Sequence, residues 1–219
     1  KGLTLTALGS FWWGVIGVIY FKYISFAGPI EVVIHRCMWT SAVLIITTFY
    51  FSKWKIFFEI ISNKKKLILL FFSGMLIFIN WATWIYAVGS EKIIDASFGY
   101  FIMPILSVFL GYIFYNEKIN IKRCISIILV LISILFLLFI NFDSIPWVGI
   151  IVALSWGFYN LLRKKVNVDT DVGLLIESLF LLPFAIFAFY LIFQNNLNDF
   201  SLTSPSLMLI LMLAGPMTV

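Results

Sequence analysis

Glu31 and His35 stand one helical turn apart in an otherwise apolar run, and Arg36 follows directly. At about 100° per residue, Glu31 and His35 fall about 40° apart on one helix face, with Arg36 turned about 140° from Glu31. A carboxylate beside an imidazole can hold and pass a proton. A guanidinium set apart from them can grip a solute carboxylate, reach a neighbouring helix or snorkel to the headgroups. The same trio can equally be a structural ion pair near a membrane face, and both readings stand. Glu177 is the most isolated acidic residue of the chain, and Pro183 follows it within the same apolar run, where a missing backbone donor kinks a helix.

Ser97, Tyr100, Pro104, Ser107 and Gly111 recur at steps of three and four. They make one small or hydroxylated stripe, expected to face protein or a cavity, with Pro104 as a kink. Phe98, Ile102, Ile105 and Phe109 are then expected on the lipid side. Asn80 must find a hydrogen-bond partner and serves either as interhelical glue or as a solute contact. Trp13, Trp84 and Trp156 lie deeper than the interfacial tryptophans and are candidates for an aromatic-walled cavity.

The elements that position these groups are transmembrane helices. The chain is 63% hydrophobic and 11% charged, with a mean hydropathy of +1.08, which excludes a soluble fold. Crossing a bilayer core of about 30 Å takes roughly twenty apolar residues. Seven such spans are expected at 4–26, 30–51, 67–88, 96–115, 122–141, 146–162 and 172–193, with an eighth beginning near Pro205 and cut off at Val219. The gap 52–66 is expected to carry a surface helix. The fold class is therefore an all-α polytopic helical bundle in a lipid bilayer.

Charge placement sets orientation. Lys53, Lys55, Lys64, Lys65, Lys66, Lys118, Lys122, Arg123, Arg163, Lys164 and Lys165 occupy alternate gaps, whereas the other gaps hold only Lys22 and Lys92. This asymmetry places the amino terminus and the basic gaps in the cytoplasm. It also argues against a nucleic-acid partner, despite a formal charge of +5. Glu91, Asp95, Asp143 and Asp199 fit the outer face, and Asp169 and Asp171 read as solvated loop residues. Cys37 and Cys124 have no metal-ligand spacing, and no cofactor is expected.

The dipeptide Trp-Gly occurs twice, at Trp13-Gly14 and Trp156-Gly157. Superposing the copies pairs Ser10 with Ala153 and Lys22 with Lys165, and each copy holds a small-x-x-x-small pattern that lets helices approach closely. Three extra residues in the second copy pair Glu31 with Glu177. A repeat unit of five spans, 1–141, is then followed by a second unit, 146–219, entering from the opposite side, as in inverted-repeat transporters.

The run from Asn80 to Trp84, the stretch Ala96-Ser97-Phe98-Gly99-Tyr100-Phe101-Ile102-Met103-Pro104 and the later Gly111 with Asn116-Glu117-Lys118 resemble the drug/metabolite transporter superfamily. Glu31-x-x-x-His35-Arg36, Trp156-Gly157-Phe158-Tyr159 with Arg163-Lys164-Lys165, and Gly173-Leu174 with Glu177 resemble its EamA-type, RarD-like branch, named for chloramphenicol sensitivity. The resemblance adds Tyr159 to the candidates. It implies ten helices in two inverted five-helix repeats, of which about seven and a half are present here, and both termini in the cytoplasm. It further implies a central cavity and secondary transport of small organic metabolites or drugs, amino-acid-like solutes among them and mostly by efflux across a bacterial-type inner membrane. Protons are a candidate coupling partner. An intramembrane enzyme is the alternative class, but no zinc, diphosphate or nucleophile–base pattern supports one. A seven-helix receptor conflicts with the cytoplasmic amino terminus.

Overall fold

The computed structural model describes residues 2–141, 146–200 and 204–219, and they are helical almost throughout. Asp143 lies outside the described residues. Among the described residues, five helical runs are long and apolar enough to cross a membrane: Gly2–Tyr50, Lys64–Gly89, Ile93–Tyr115, Ile121–Ile140 and Thr170–Gln194. The first of these contains two of the expected spans. Within it, α1 (Gly2–Phe11) runs through a π-helical segment (Trp12–Gly17) into α2 (Val18–Tyr23), a 3-10 turn (Ile24–Ala27) and α3 (Gly28–Tyr50). The corner is Gly28, whose φ of 75° is strained for any residue with a Cβ, and Pro29 then opens α3. The first arm folds back, so that Trp13 and Phe21 reach Arg36.

Helix α4 (Trp54–Ser62) is the expected surface helix, and its Ile60 seals a small apolar cluster with Leu70, Val166, Val172 and Ile176. Helices α5 (Lys64–Gly89), α6 (Ile93–Tyr115) and α7 (Ile121–Asn141) follow, with Asn116 closing α6 in the left-handed conformation that asparagine tolerates. Helix α8 (Trp147–Val166) is long enough to span but falls outside the five most apolar runs. It carries Asn160 and ends on Arg163, Lys164 and Lys165, and it lies enclosed between α5 and α6. Helix α9 (Thr170–Gln194) packs along α3, and the eighth apolar segment consists of α10 (Pro205–Met212) and α11 (Ala214–Thr218).

Helices α3 and α9 are antiparallel. Lys53, just past α3, meets Asp169 and Asp171 at the start of α9, whereas Glu31, near the start of α3, meets residues beyond the end of α9. The main core lies between these two helices, α5 and α8, with Val32, Ile77, Val88, Val152 and Leu181 among its buried members. In lipid such packing is driven by close contact rather than by exclusion of water, and small residues decide where helices touch. A Cβ on Gly99 would overlap the Gly149 carbonyl, and one on Gly149 would overlap the Asp95 carbonyl, so this glycine pair fixes the α6–α8 crossing.

That crossing corrects the expected orientation of α6. Phe98 is buried beside Gly149 rather than facing lipid, and Ser97 and Tyr100 are exposed among the described residues. Only the lower part of the small-residue stripe (Pro104, Ser107 and Gly111) borders a cavity of about 590 Å³ between α6, α7 and α8. The helix continues through Pro104, as α9 does through Pro183. Of the two small-x-x-x-small patterns, Ala153–Gly157 is packed, Gly157 against Leu106, while a Cβ on Gly14 would meet nothing within 4 Å.

Candidate functional site

The buried charges form three groups. At the end of the bundle away from the lysine-rich loops, both oxygens of Glu31 accept backbone N–H bonds, from Asp199 and Phe200, at 2.8 Å each. The carboxylate thus ties α3 to the chain that follows α9. His35 Nε2 faces Glu31 Oε1 at 3.5 Å, and Trp39 donates its indole N–H to Nδ1 at 3.1 Å. Because Nδ1 accepts, Nε2 is the ring's donor nitrogen, and it makes no hydrogen bond to a described residue. Phe189 and Phe200 close over the imidazole. The expected Glu31–His35 face is therefore real, and its partners come from a segment 168 residues away.

The second group is centred on Glu177, whose side chain has no exposed surface. Ser73 of α5 donates to Oε1 at 2.5 Å, Tyr159 of α8 donates to Oε2 at 3.1 Å, and Arg163 Nη1 lies 3.5 Å from Oε1. Glu177 thereby joins three helices two turns from the basic end. Two glycines make the room. A Cβ on Gly74 would press on the Glu177 backbone at 3.3 Å, and Arg163 lies over Gly173, where a Cβ would overlap the guanidinium.

Arg36 is the third group. It is 3% exposed, so it does not snorkel. Its guanidinium carbon lies 4.5 Å from the Trp81 ring centre, 4.9 Å from Phe21 and 5.2 Å from Trp13, and Nε donates to Thr218 at 3.1 Å. Trp84 meets Trp13 and Phe21 edge-on, which extends the aromatic wall. Trp156 packs on Tyr159. Asn80 takes the role of glue: its amide donates to Val152 O and Ser155 Oγ of α8, both at 3.2 Å.

The basic gaps come together at one end of the bundle. Lys53 binds Asp169 at 3.0 Å and Asp171 at 2.7 Å, and Glu117 binds Lys164 at 2.7 Å. Asp169 and Asp171 are therefore paired groups rather than merely solvated ones. Asp169 also caps α9 by accepting from the Asp171 and Val172 amides. Hydrogen bonds from Lys53 to Asp171 and Asp169 raise the lysine's pKa above its ordinary value. Burial alone would raise the Asp169 pKa, but the Lys53 bond and the two amides outweigh it and hold the carboxyl below its ordinary range. Glu117 is likewise lowered, chiefly by Lys164. Opposite, Lys22 pairs with Glu91 at 3.3 Å.

Sequence reasoning did not assign site roles to Ser73, Trp81, Phe21, Gly173 or Thr218. The spacing of Ser73, Ile77, Asn80 and Trp84 does mark one face of this span, with Trp81 beside it, but it does not say what that face meets. Arg163 was legible only as loop charge.

Residues 1–139 match the EamA-like transporter family. A protein of Vibrio cholerae serotype O1 named as an uncharacterized transporter is 34% identical over all of this chain and 72% of its own length. The Bacillus subtilis transporter YojE is 31% identical over all of this chain and 73% of its own, and the RarD protein of Salmonella typhi is 33% identical over all of this chain and 74% of its own. No solved structure gives a significant match.

Proposed function

Because the chain belongs to the EamA-like transporter family, we propose that it carries small organic solutes across a bacterial-type plasma membrane by alternating access. The observation that carries this reading is the pair of buried carboxylates, Glu31 and Glu177, set toward opposite ends of the bundle. Each binds across helices: Glu31 holds the chain after α9 to α3, and Glu177 holds α5 and α8 to α9. Releasing one while the other stays made is how a central route opens to one side at a time. Between them lie Arg36, Trp13, Trp81 and Trp84, with Tyr100 and Trp156 on adjoining helices.

In this reading the basic end faces the cytoplasm, the repeats 1–141 and 146–219 are inverted copies, and the solutes are metabolites or drugs of amino-acid-like size, moved outward. The pair Glu31–His35 is the candidate proton site, because His35 Nε2 lies 3.5 Å from Glu31 Oε1 and makes no hydrogen bond to another described residue.

Flux of a broad solute panel in proteoliposomes tests the proposal. Saturable flux is expected, and Glu31→Gln, His35→Ala and Glu177→Gln each reduce it at normal folding. Wild-type rates in all three remove these residues from the mechanism, and no flux for any solute overturns the proposal itself. Flux unchanged when the pH gradient is collapsed removes the proton.

A further inference from the structure

We propose that Arg36 is the anchor for a carboxylate group, so that the solute is a small organic acid or zwitterion with an apolar or aromatic body; this rests on the transporter reading above. Glu31, Glu177 and Arg163 each face an opposite charge or its hydrogen-bonding equivalent. Arg36 is as deeply buried, at 3% exposure, yet it enters no ion pair among the described residues. Its one hydrogen bond there runs from Nε to the neutral hydroxyl of Thr218. A buried cation without a counter-ion is costly in protein and more so at membrane depth, and such a charge marks a ligand pathway.

The way the cation is held selects the ligand. Trp13, Phe21 and Trp81 lie 4.5 to 5.2 Å from the guanidinium carbon and stabilise its charge through their ring faces. Rings cannot accept the in-plane N–H donors as a carboxylate does. The terminal amino groups of Arg36 donate no hydrogen bond to any described residue, so the edge of the fork remains available. A planar fork with one net charge matches a carboxylate, which accepts two parallel N–H bonds. The surrounding wall is indole and phenyl, and Trp13 keeps 36% of its surface open. It favours an apolar body behind the acid group rather than a second charge. Tyr20 does not compete, because its hydroxyl donates to Ile210 O at 2.8 Å.

The test uses the natural protein in nanodiscs of zwitterionic lipid, with phenylacetate and its neutral isostere phenylacetamide as probes in calorimetric titrations. Phenylacetate is expected to bind roughly 10- to 100-fold more tightly than the amide, the range of a charge-assisted bidentate contact. Arg36→Gln is expected to collapse that ratio toward one, weakening phenylacetate far more than phenylacetamide, and Arg36→Lys keeps only part of it, because the charge stays and the fork is lost. If Arg36→Gln fails to fold, Arg36→Lys decides: a ratio reduced several-fold supports the assignment and an unchanged ratio overturns it. Equal affinities in the wild type, no binding of either probe, or a ratio that survives Arg36→Gln also overturn it. Flux in the same preparation separates the two readings. Transport of neutral solutes without acid preference sinks the anchor and leaves the transporter standing. Acid-selective binding with no flux of any solute supports the anchor and sinks the transporter.

Discussion

Gly173→Ala is a single added methyl whose effect should change sign with the residue opposite it. A Cβ at Gly173 would overlap the Arg163 guanidinium, which is the far end of a flexible side chain. The side chain can swing aside, but then it leaves Glu177 and also loses its bond to Thr170 O, 3.0 Å long. Breaking a buried charge pair costs about 3–5 kcal/mol when the remaining charge has no other partner. Here Glu177 keeps Ser73 and Tyr159, and Arg163 is 12% exposed near the basic end, where water can receive it. The expected loss is therefore smaller, about 1–3 kcal/mol. In an Arg163→Ala background nothing occupies that space, and alanine in a helix is favoured over glycine by about 0.5–1 kcal/mol. Gly173→Ala should then be neutral or stabilising. Equilibrium unfolding in mixed micelles, followed by tryptophan emission across the four proteins of the cycle, measures both signs. Equal destabilisation with and without Arg163 would refute the account, because the methyl would then be meeting something other than the guanidinium.

Gly99→Ala should cost about 1–3 kcal/mol by pushing α6 off the Gly149 backbone, whereas Gly14→Ala, facing open space, should cost nothing; thermal melts of the two variants side by side check this. For the Lys53–Asp169 pair the sign follows from the two shifts. Asp169, lowered, stabilises the fold above the ordinary carboxylate range and loses this as pH falls through its depressed value; Lys53, raised, stabilises below the ordinary lysine range and loses this as pH climbs through its elevated one. Asp169→Asn, which keeps the helix cap, should lose up to about 1 kcal/mol at neutral pH, and the difference from wild type should shrink in melts as pH falls through the depressed Asp169 value. Lys65→Cys and Ser90→Cys, introduced singly into a protein lacking Cys37 and Cys124, flank the single helix α5 and test sidedness. An impermeant maleimide should label position 90 in intact cells and position 65 only after permeabilisation, and the reverse pattern would invert the orientation.

Much of this arrangement was legible because a polar group in an apolar run is conspicuous whatever it contacts. Glu31, His35, Arg36, Asn80 and Glu177 stood out for that reason, and all five are buried. Lysines in alternate gaps converge on one end because successive spans reverse direction. What the sequence withheld was helix rotation and pairing. On α6, hydroxyls and glycines both suggest a packed face, and the Gly99–Gly149 contact turned the helix so that Phe98 went inward and Ser97 outward. Glu177 and Ser73 are 104 residues apart, and nothing local marks either as the other's partner. The π-helical segment Trp12–Gly17 carries no compositional sign, yet it lies in the arm that brings Trp13 to Arg36.

The proposed inverted repeat, read from the echo of Trp-Gly and Glu31 with Glu177, makes a demand on helix contacts. If the second unit copies the first, α8 corresponds to the α1–α2 arm, α9 to α3, and α10 with α11 to α5. Exchanging the units would then send helix contacts onto one another, although α3 with α5 finds no comparable partner contact of α9 with α10 or α11 among the described residues. The α3–α9 contact maps onto itself, which requires the two helices to lie side by side and antiparallel, as they do. The α5–α9 contact maps onto that of α11 with α3. Each is admitted by a glycine set against the partner's backbone, Gly74 on Glu177 and Gly215 on Trp39. The broad α5–α8 contact has no counterpart of like extent between α10 and the first arm among the described residues, where a single bond joins Tyr20 to Ile210 O. The reading also predicts which glycines matter alike: Gly74→Leu and Gly215→Leu should each separate a helix from the α3–α9 pair and lower stability by similar amounts. A loss confined to Gly74→Leu, measured by the same micellar unfolding, would count against two equivalent halves.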